Sequence, residues 1–449
     1  RISRDRRKLP RDDQAVKSVA AAQRLAPRAG ILAEPSPRRT ARSGCGREMT
    51  QAMRAACVAA AALMGLLYYV YSKPGCGHHR EFFSEPRNEV RAKCRRAAAQ
   101  GAPRVVLLTG AAGFVGFHTA LELRRRGDVV LGVDNFNTYY DVNLKRARAA
   151  KLREGGMETL FEGDVCDADL LKLVLGEGRV THVIHLAAQA GVRYSLKNPL
   201  AYIQANLRCF VTLLEAVKEY NKSVPITYAS SSSVYGLNEL IPFSEKHRVD
   251  SQASLYGATK KANENLAHVY HHLHGLKLTG LRFFTVYGPY GRPDMAYFSF
   301  TQAILAGKRI TEFRKDDGEE LQRDFTYIED IVNGVIAASR LAAPLEVFNL
   351  GNTHPEKVSA LIGYLEQGLG RKANITRAPI TAGDVPVTYA DVSHARERLG
   401  YSPQVSLAEG VARFLEWYGS YYGVKLPPRK ARRRPAGPRR LRPEPNSGS

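Results

Sequence analysis

The stretch RVVLLTGAAGFVGFHTALELRRRGDVVLGVD, residues 104–134, decides the fold. Residues 104–109 form an apolar run of strand length. Gly110, Gly113 and Gly116 follow, spaced as in a turn that leads a strand into a helix. One glycine permits the tight turn, one lets backbone approach a pyrophosphate, and one lets helix pack on strand. The helix, read to about Arg126, would offer its free N-terminal amides and positive dipole end to the phosphates. A second apolar strand ends at Asp134, 24 residues after Gly110. An acid at that offset receives ribose hydroxyls and repels a 2′-phosphate, so the expected cofactor is NAD rather than NADP.

The pattern repeats outward. Strands are expected over 160–165, 181–188 and 226–230, with a helix over 201–220 between the last two. Strand and helix alternating in this way give a Rossmann-type doubly wound parallel sheet, an α/β fold. A smaller C-terminal α/β substrate-binding domain is expected to follow.

Site chemistry in such sheets gathers at the carboxyl ends of the strands. The fifth strand runs into Ser230, Ser231, Ser232 and Ser233, and 25 residues beyond Ser231 stands Tyr256 with Lys260 four positions on. At that spacing on a helix the two share a face. A nearby ammonium favours a phenolate, which makes Tyr256 a candidate base. YxxxK alone is common; after a glycine-rich turn and a strand-end serine it carries weight.

Charge excludes one class of function. The formal net charge of +23 is concentrated in the ends: about +9 in 1–54, about +4 in 80–104 and about +8 in 425–449. The central segment is nearly neutral, so no nucleic acid partner is expected for it. The six cysteines have neither CxxC nor zinc spacing, so no metal is expected. Cys166 and Cys209, within the globular part, are read as buried small side chains rather than a disulfide.

Longer stretches carry a resemblance: DNFNTYYDVNLKRAR, HLAAQAGVRYS, ASSSSVYGLN, LRFFTVYGPYGRPDMAYF, RDFTYIEDIVNG and NLGNTHP. With the glycine turn and Tyr256/Lys260, they resemble the extended short-chain dehydrogenase/reductases. Within these they are similar to the UDP-glucuronate 4-epimerases, especially the membrane-anchored plant type. The resemblance implies epimerisation of UDP-glucuronate to UDP-galacturonate through a 4-keto sugar. It implies Tyr256 as base, Lys260 as its tuner and Ser231 as the hydroxyl on the sugar's 4-oxygen. It assigns NAD contacts to Gly110, Gly113, Phe114, Val115, Gly116, Asp134, Asp164, Val165, Leu186, Ala187 and Ala188, together with Tyr256 and Lys260. Arg193, Ser232, Thr285, Arg292, Arg323 and Asp384 are the implied substrate contacts, with Arg292 the candidate for the uronate carboxylate. Thr285 stands where galactose epimerases have an Asn. Ser232-Ser233 replace the acid pair that 4,6-dehydratases need, and the Glu of the related decarboxylases is absent. Residues 317–322 depart from the plant-type pattern. Two rival readings stand: a 4-epimerase of neutral UDP-sugars, and a membrane-tethered NAD-binding protein without catalysis.

The expected layout is a basic disordered segment over 1–54, a signal anchor over 55–71, a linker over 72–103, an NAD-binding domain over 104–290, a mainly UDP-sugar-binding domain over 291–423 and a disordered basic tail over 424–449. Met49 and Met53 are candidate starts. The 17-residue apolar run at 55–71 is short for a membrane span, follows several arginines and ends in tyrosines. It predicts a single-pass type II protein with its enzyme domain luminal, by analogy in the Golgi. Asn221 and Asn374 begin glycosylation sequons. The resemblance also implies a homodimer.

Overall fold

The computed structural model describes residues 85–157, 159–315, 317–380 and 385–428, all within one unit from Gly77 onward. The basic segment 1–54, the apolar run 55–71, Asp384 and most of the basic tail therefore lie outside the described residues.

Seven parallel strands build the main sheet. Six are β1 (Val105–Thr109), β2 (Val129–Asp134), β3 (Leu160–Glu162), β4 (His182–His185), β5 (Ile226–Ser231) and β6 (Leu278–Phe283). The seventh, Leu345–Leu350, lies far along the chain beside β6. The order is Leu345–Leu350, β6, β5, β4, β1, β2, β3. Every residue of β1 and β2 is buried, which is why these strands read as continuous apolar runs rather than alternations. The chain winds one way from β1 through β3, then returns to β4 on the other flank of β1. That reversal opens a crevice beyond the carboxyl ends of β1 and β4, where ligands of such sheets bind.

Side-chain caps fix several helix starts. Asp141, Asp167, Ser254 and Ser406 each accept an amide from the first turn. The 20-residue helix Leu255–His274, which carries Tyr256 and Lys260, ends on Gly275 in the left-handed conformation.

A second layer contains a four-stranded sheet of Thr285–Tyr287, Gln322–Tyr327, Pro355–Lys357 and Val387–Thr388. Arg309–Arg314 pairs with Asn374–Pro379 beside it. The two layers interleave in sequence. Thr285–Tyr287 belongs to the second layer, whereas Leu345–Leu350 completes the first.

Three expectations change. Residues 87–98, within the expected linker, form the helix Arg87–Ala98, which packs on the helix Ala168–Gly178. Its buried Val90, Cys94 and Ala97 share one face, a stripe obscured by six surrounding Arg, Lys and Glu side chains. The expected tail begins packed: Val424 N–H donates to the Gly419 carbonyl at 2.9 Å, and Leu426 lies against the core. Cys166 and Cys209 are joined in a disulfide. They are 43 residues apart in sequence and meet only because the loop after β3 runs beside the start of the helix Cys209–Tyr220.

The helix expected over 201–220 forms with an interruption. Ile203–Arg208 is a π-helical turn between Pro199–Tyr202 and Cys209–Tyr220. Buried Asn206 sits in it, donating to the Gln189 carbonyl at 3.1 Å and to Thr259 Oγ1 at 3.0 Å. Pro199–Tyr220 is the one helix among the described residues long and apolar enough to cross a membrane. It is packed on the main sheet's helical layer, with Phe210, Leu213, Leu214 and Val217 buried.

Candidate active site

The crevice at the switch point is a cleft of ≈ 410 Å³. The turn Gly110–Gly116 forms one wall. Gly110 has φ +70°, and a Cβ there would stand 2.7 Å from the Ala187 nitrogen. A Cβ on Gly116 would stand 2.0 Å from the Gly110 carbonyl oxygen. Only glycine fits either position, and the close approach leaves a cradle of backbone. The expected residues Gly113, Phe114 and Val115 line it too.

Asp134, at the end of β2, is buried. Its Oδ2 accepts the Ala112 amide at 3.0 Å and its Oδ1 the Phe136 amide at 2.9 Å. The Lys145 ammonium is 3.9 Å from Oδ1. Asp164 and Val165 border the same end of the cleft; Leu186, Ala187 and Ala188, after β4, form its floor. Asp164 is oriented by two donors: Asn135 Nδ2 donates to Oδ2 at 2.9 Å and the Cys166 amide to Oδ1 at 2.8 Å. This glycine cradle, with a buried acid at the second strand end, fits a dinucleotide with a free ribose diol.

Ser231, Tyr256, Lys260 and Arg292 open onto the cleft from the other side. Burial raises the Tyr256 phenol above its ordinary range, while a hydrogen bond with Ser231 and the Arg292 charge pull it back. Lys260 Nζ donates to the Ala229 carbonyl at 2.8 Å, and burial pushes its ammonium down to about 8. Lys260 does share the helix face, yet its head reaches to β5, and Ser231 and Arg292 are the groups that favour the phenolate. Arg292 loses by burial and more than regains its charge from Asp294, to which it is forked.

Ser232, Arg193, Thr285 and Arg323 do not line this cleft. Ser232 starts a 3₁₀ turn. The Arg193 guanidinium lies 4.7 Å over the Phe313 ring. Thr285 pairs in register with Phe325 at the edge of the second layer. Arg323 Nη1 donates to the Gln322 and Pro386 carbonyls at 2.8 and 3.0 Å. Asp384 lies outside the described residues. Sequence reasoning gave no role to Asn137, Tyr139, Lys145 or Gln189, which do line the cleft. The first three stand in the quoted 134–148 stretch, but nothing in their spacing says that the segment folds back over β2.

Comparisons with known proteins agree with this geometry. A family model described as GDP-mannose 4,6 dehydratase matches residues 107–414. UDP-glucuronate 4-epimerase 6 of Arabidopsis thaliana is 54% identical over 335 residues, 71% of this chain and 72% of that protein. UDP-glucuronic acid 4-epimerase from Bacillus cereus, solved in complex with UDP-glucuronic acid and NAD, is 34% identical with a TM-score of 0.66, covering 71% of this chain and 100% of that one. A UDP-glucose 4-epimerase from Thermotoga maritima, solved with UDP-glucose, is 30% identical with a TM-score of 0.62, covering 71% and 99%. With a glycine cradle, a strand-end acid and a Ser–Tyr–Lys set in one cleft, and with relatives of this identity and coverage, the chain belongs to the UDP-glucuronate 4-epimerase family of extended short-chain dehydrogenase/reductases.

Proposed function

We propose that this enzyme interconverts UDP-glucuronate and UDP-galacturonate by NAD-dependent epimerisation at C4. One juxtaposition carries the reading: Ser231, Tyr256, Lys260 and Arg292 share a cleft with the Gly110–Gly116 cradle and Asp134. NAD, when bound, supplies the hydride acceptor and donor for C4. Tyr256 removes the proton of the 4-hydroxyl and later returns one. Ser231 hydrogen-bonds the 4-oxygen and holds the Tyr256 proton site in line. Lys260 contributes its charge and a ribose contact. Arg292 receives the uronate carboxylate in its planar fork, exchanging it against Asp294. The 4-keto sugar is a β-keto acid, so a held carboxylate also restricts loss of carbon dioxide. Arg193, Ser232, Thr285 and Arg323 are proposed to face the UDP-sugar at the border of the second layer, and Asp384 is proposed as a further substrate contact.

NMR of the products formed by purified protein from UDP-glucuronate, UDP-glucose and UDP-xylose tests this. UDP-galacturonate from UDP-glucuronate is expected as the dominant conversion. Turnover of neutral sugars in preference to the uronate would replace this reading with that of a neutral UDP-sugar epimerase. Arg292→Ala should weaken UDP-glucuronate by one to two decades, the value of about 1.5–3 kcal/mol for a charged hydrogen-bonded pair, and neutral UDP-sugars far less.

The proposed setting is the Golgi lumen, with 55–71 as a type II anchor and 104–290 and 291–423 as the NAD- and mainly substrate-binding parts. The Cys166–Cys209 disulfide supports an oxidising compartment. Asn221 and Asn374 are both exposed, as luminal glycosylation would need. Protease digestion of the enzyme domain in intact vesicles would overturn the luminal placement. A homodimer is proposed through the helices Cys209–Tyr220 and Leu255–His274. Between them lies an open apolar groove lined by Leu207, Val211, Leu266 and Val269, and Val269 and Leu273 are 44% and 64% exposed. The same two helices of a second copy would cover it. Val269→Glu should yield monomers in sedimentation.

A further inference from the structure

Three successive carbonyls of the loop that carries Arg292 are held by two side chains from the nucleotide-binding half. The Pro289 oxygen is 2.9 Å from His118 Nε2. A carbonyl only accepts, so His118 carries its proton on Nε2. The Tyr290 oxygen accepts from Arg148 Nε at 3.1 Å and Nη2 at 2.7 Å. The Gly291 oxygen accepts from Arg148 Nη2 at 3.3 Å. Arg148 Nη1 donates to the Ala112 carbonyl at 2.9 Å and the Tyr140 hydroxyl at 2.7 Å. One guanidinium thus ties the glycine-rich dinucleotide turn, which contains Ala112, to the two residues before Arg292.

Two features show that this contact is more than packing. Arg148 is fully buried, and among the described residues no carboxylate is within ion-pair distance of it. A buried charge without an ionic partner is costly, and carbonyl dipoles compensate it only where geometry is kept. The loop, in turn, is a conformation that needs support. Tyr290 has φ +57° and Gly288 φ +146°, and a Cβ on Gly291 would stand 1.7 Å from the Tyr297 hydroxyl. Left-handed backbone at a bulky side chain persists only where its surroundings impose it. The far side of the loop is fixed from the same half: Tyr139 Oη donates to Asp294 Oδ2 at 2.9 Å, and Asp294 orients Arg292.

We infer that Arg148 is a positioning residue that fastens the Arg292 loop to the dinucleotide turn and thereby sets the discrimination between uronate and neutral UDP-sugars. The inference rests on Arg292 as the carboxylate ligand. Lysine keeps the charge at 148 but cannot serve four acceptors in a plane. Tyr140→Phe is the milder variant, removing a single acceptor.

The test uses NAD-loaded holoenzyme, calorimetric dissociation constants for UDP-glucuronate and UDP-glucose, and hydrogen exchange of the amides of 288–296. Arg148→Lys should weaken UDP-glucuronate about tenfold or more while changing UDP-glucose about twofold at most. Tyr140→Phe should act in the same direction by about two- to threefold. In both variants exchange in 288–296 should accelerate. In an Arg292→Ala background Arg148→Lys should add nothing to the ratio of the two constants. Equal weakening of both sugars, or an undiminished effect in that background, makes Arg148 merely structural and overturns the inference. If Arg292→Ala alone affects both sugars alike, the carboxylate reading fails instead. Exchange then still decides the anchoring: unchanged rates in Arg148→Lys, or in Tyr140→Phe should the first not fold, refute it.

Discussion

Breaking the Cys166–Cys209 bridge should cost stability and loosen the adenosine end of the cofactor site. The two cysteines are 43 residues apart, and the segment they close contains β4 and the π-helical turn. A cross-link over that span restricts the unfolded chain by about 4 kcal/mol on the chain-entropy model, with about 2–4 kcal/mol typical in practice. Geometry says where the loss is felt. Cys166 belongs to the loop that presents Asp164, its Sγ lies 3.3 Å from Gln204 Nε2, and Cys209 itself lines the cleft. The perturbation is the Cys166→Ser, Cys209→Ser double variant, beside wild type with and without a dithiol reductant. The reductant gives two electrons and two protons to the bridge and becomes a disulfide itself. Urea unfolding should place oxidised wild type about 2–4 kcal/mol above the double variant. Reductant should bring wild type to the variant's midpoint and leave the variant unmoved. NAD should leave the variant faster. Coincident unfolding curves for oxidised and reduced wild type would refute the reasoning. So would alkylation of both cysteines in denatured, unreduced protein isolated from eukaryotic cells.

Tyr256→Phe should keep the fold and NAD but lose activity by about 10²–10⁴, the usual worth of positioned proton transfer, as read by product NMR; near wild-type turnover would remove Tyr256 from the mechanism. Stability should fall as pH drops from 6.5 to 4.5. Burial, with the Lys260 charge adding to it, pushes His185 down to about 3, and burial takes His182 and His118 down to about 4. The unfolded chain binds protons below about 6.5 while the native imidazoles stay neutral, so the fall from pH 6.5 to 4.5 costs about 2.3 kcal/mol for His185 alone. Thermal unfolding across that range checks it, and a flat profile would contradict the buried neutral imidazoles. Asp134 should make NADP bind far more weakly than NAD. A second negative charge about 4 Å away costs about 4 kcal/mol at an effective dielectric of 20, and Asp134→Asn should narrow the gap in melting-temperature shifts.

What was legible in the sequence followed from local rules. Residues 104–134 announce strand, turn, helix, strand and acid because each of those features has a signature in residue type and spacing. Tyr256 and Lys260 share a helix face for the same reason. Features set by tertiary meeting left no such mark. The helix Arg87–Ala98 hid in a charged stretch because three small or aliphatic residues suffice to dock it. The Cys166–Cys209 bridge has no motif, since its two ends come together only after β4 has been inserted between them. Lys260 shows the limit of a pairwise rule: spacing predicts which face a side chain leaves from, while its length and nearest carbonyl decide where the charge ends.

Arg148 marks the same limit at the site itself. Its acceptors are the carbonyls of Ala112, Tyr290 and Gly291, groups that every residue carries and that no sequence pattern labels. Even so, the reason an arginine is needed there is physical. A buried loop bend leaves carbonyls that must be satisfied, and a planar fork reaches several at once from one rigid helix. The dinucleotide turn and the substrate loop lie 179 positions apart between Ala112 and Gly291, yet one side chain bridges them. A hydride moves only between atoms held near contact distance, where displacement by an ångström can cost two decades in rate. A residue that fastens cofactor wall to carboxylate wall would therefore matter to catalysis without lining the cleft itself.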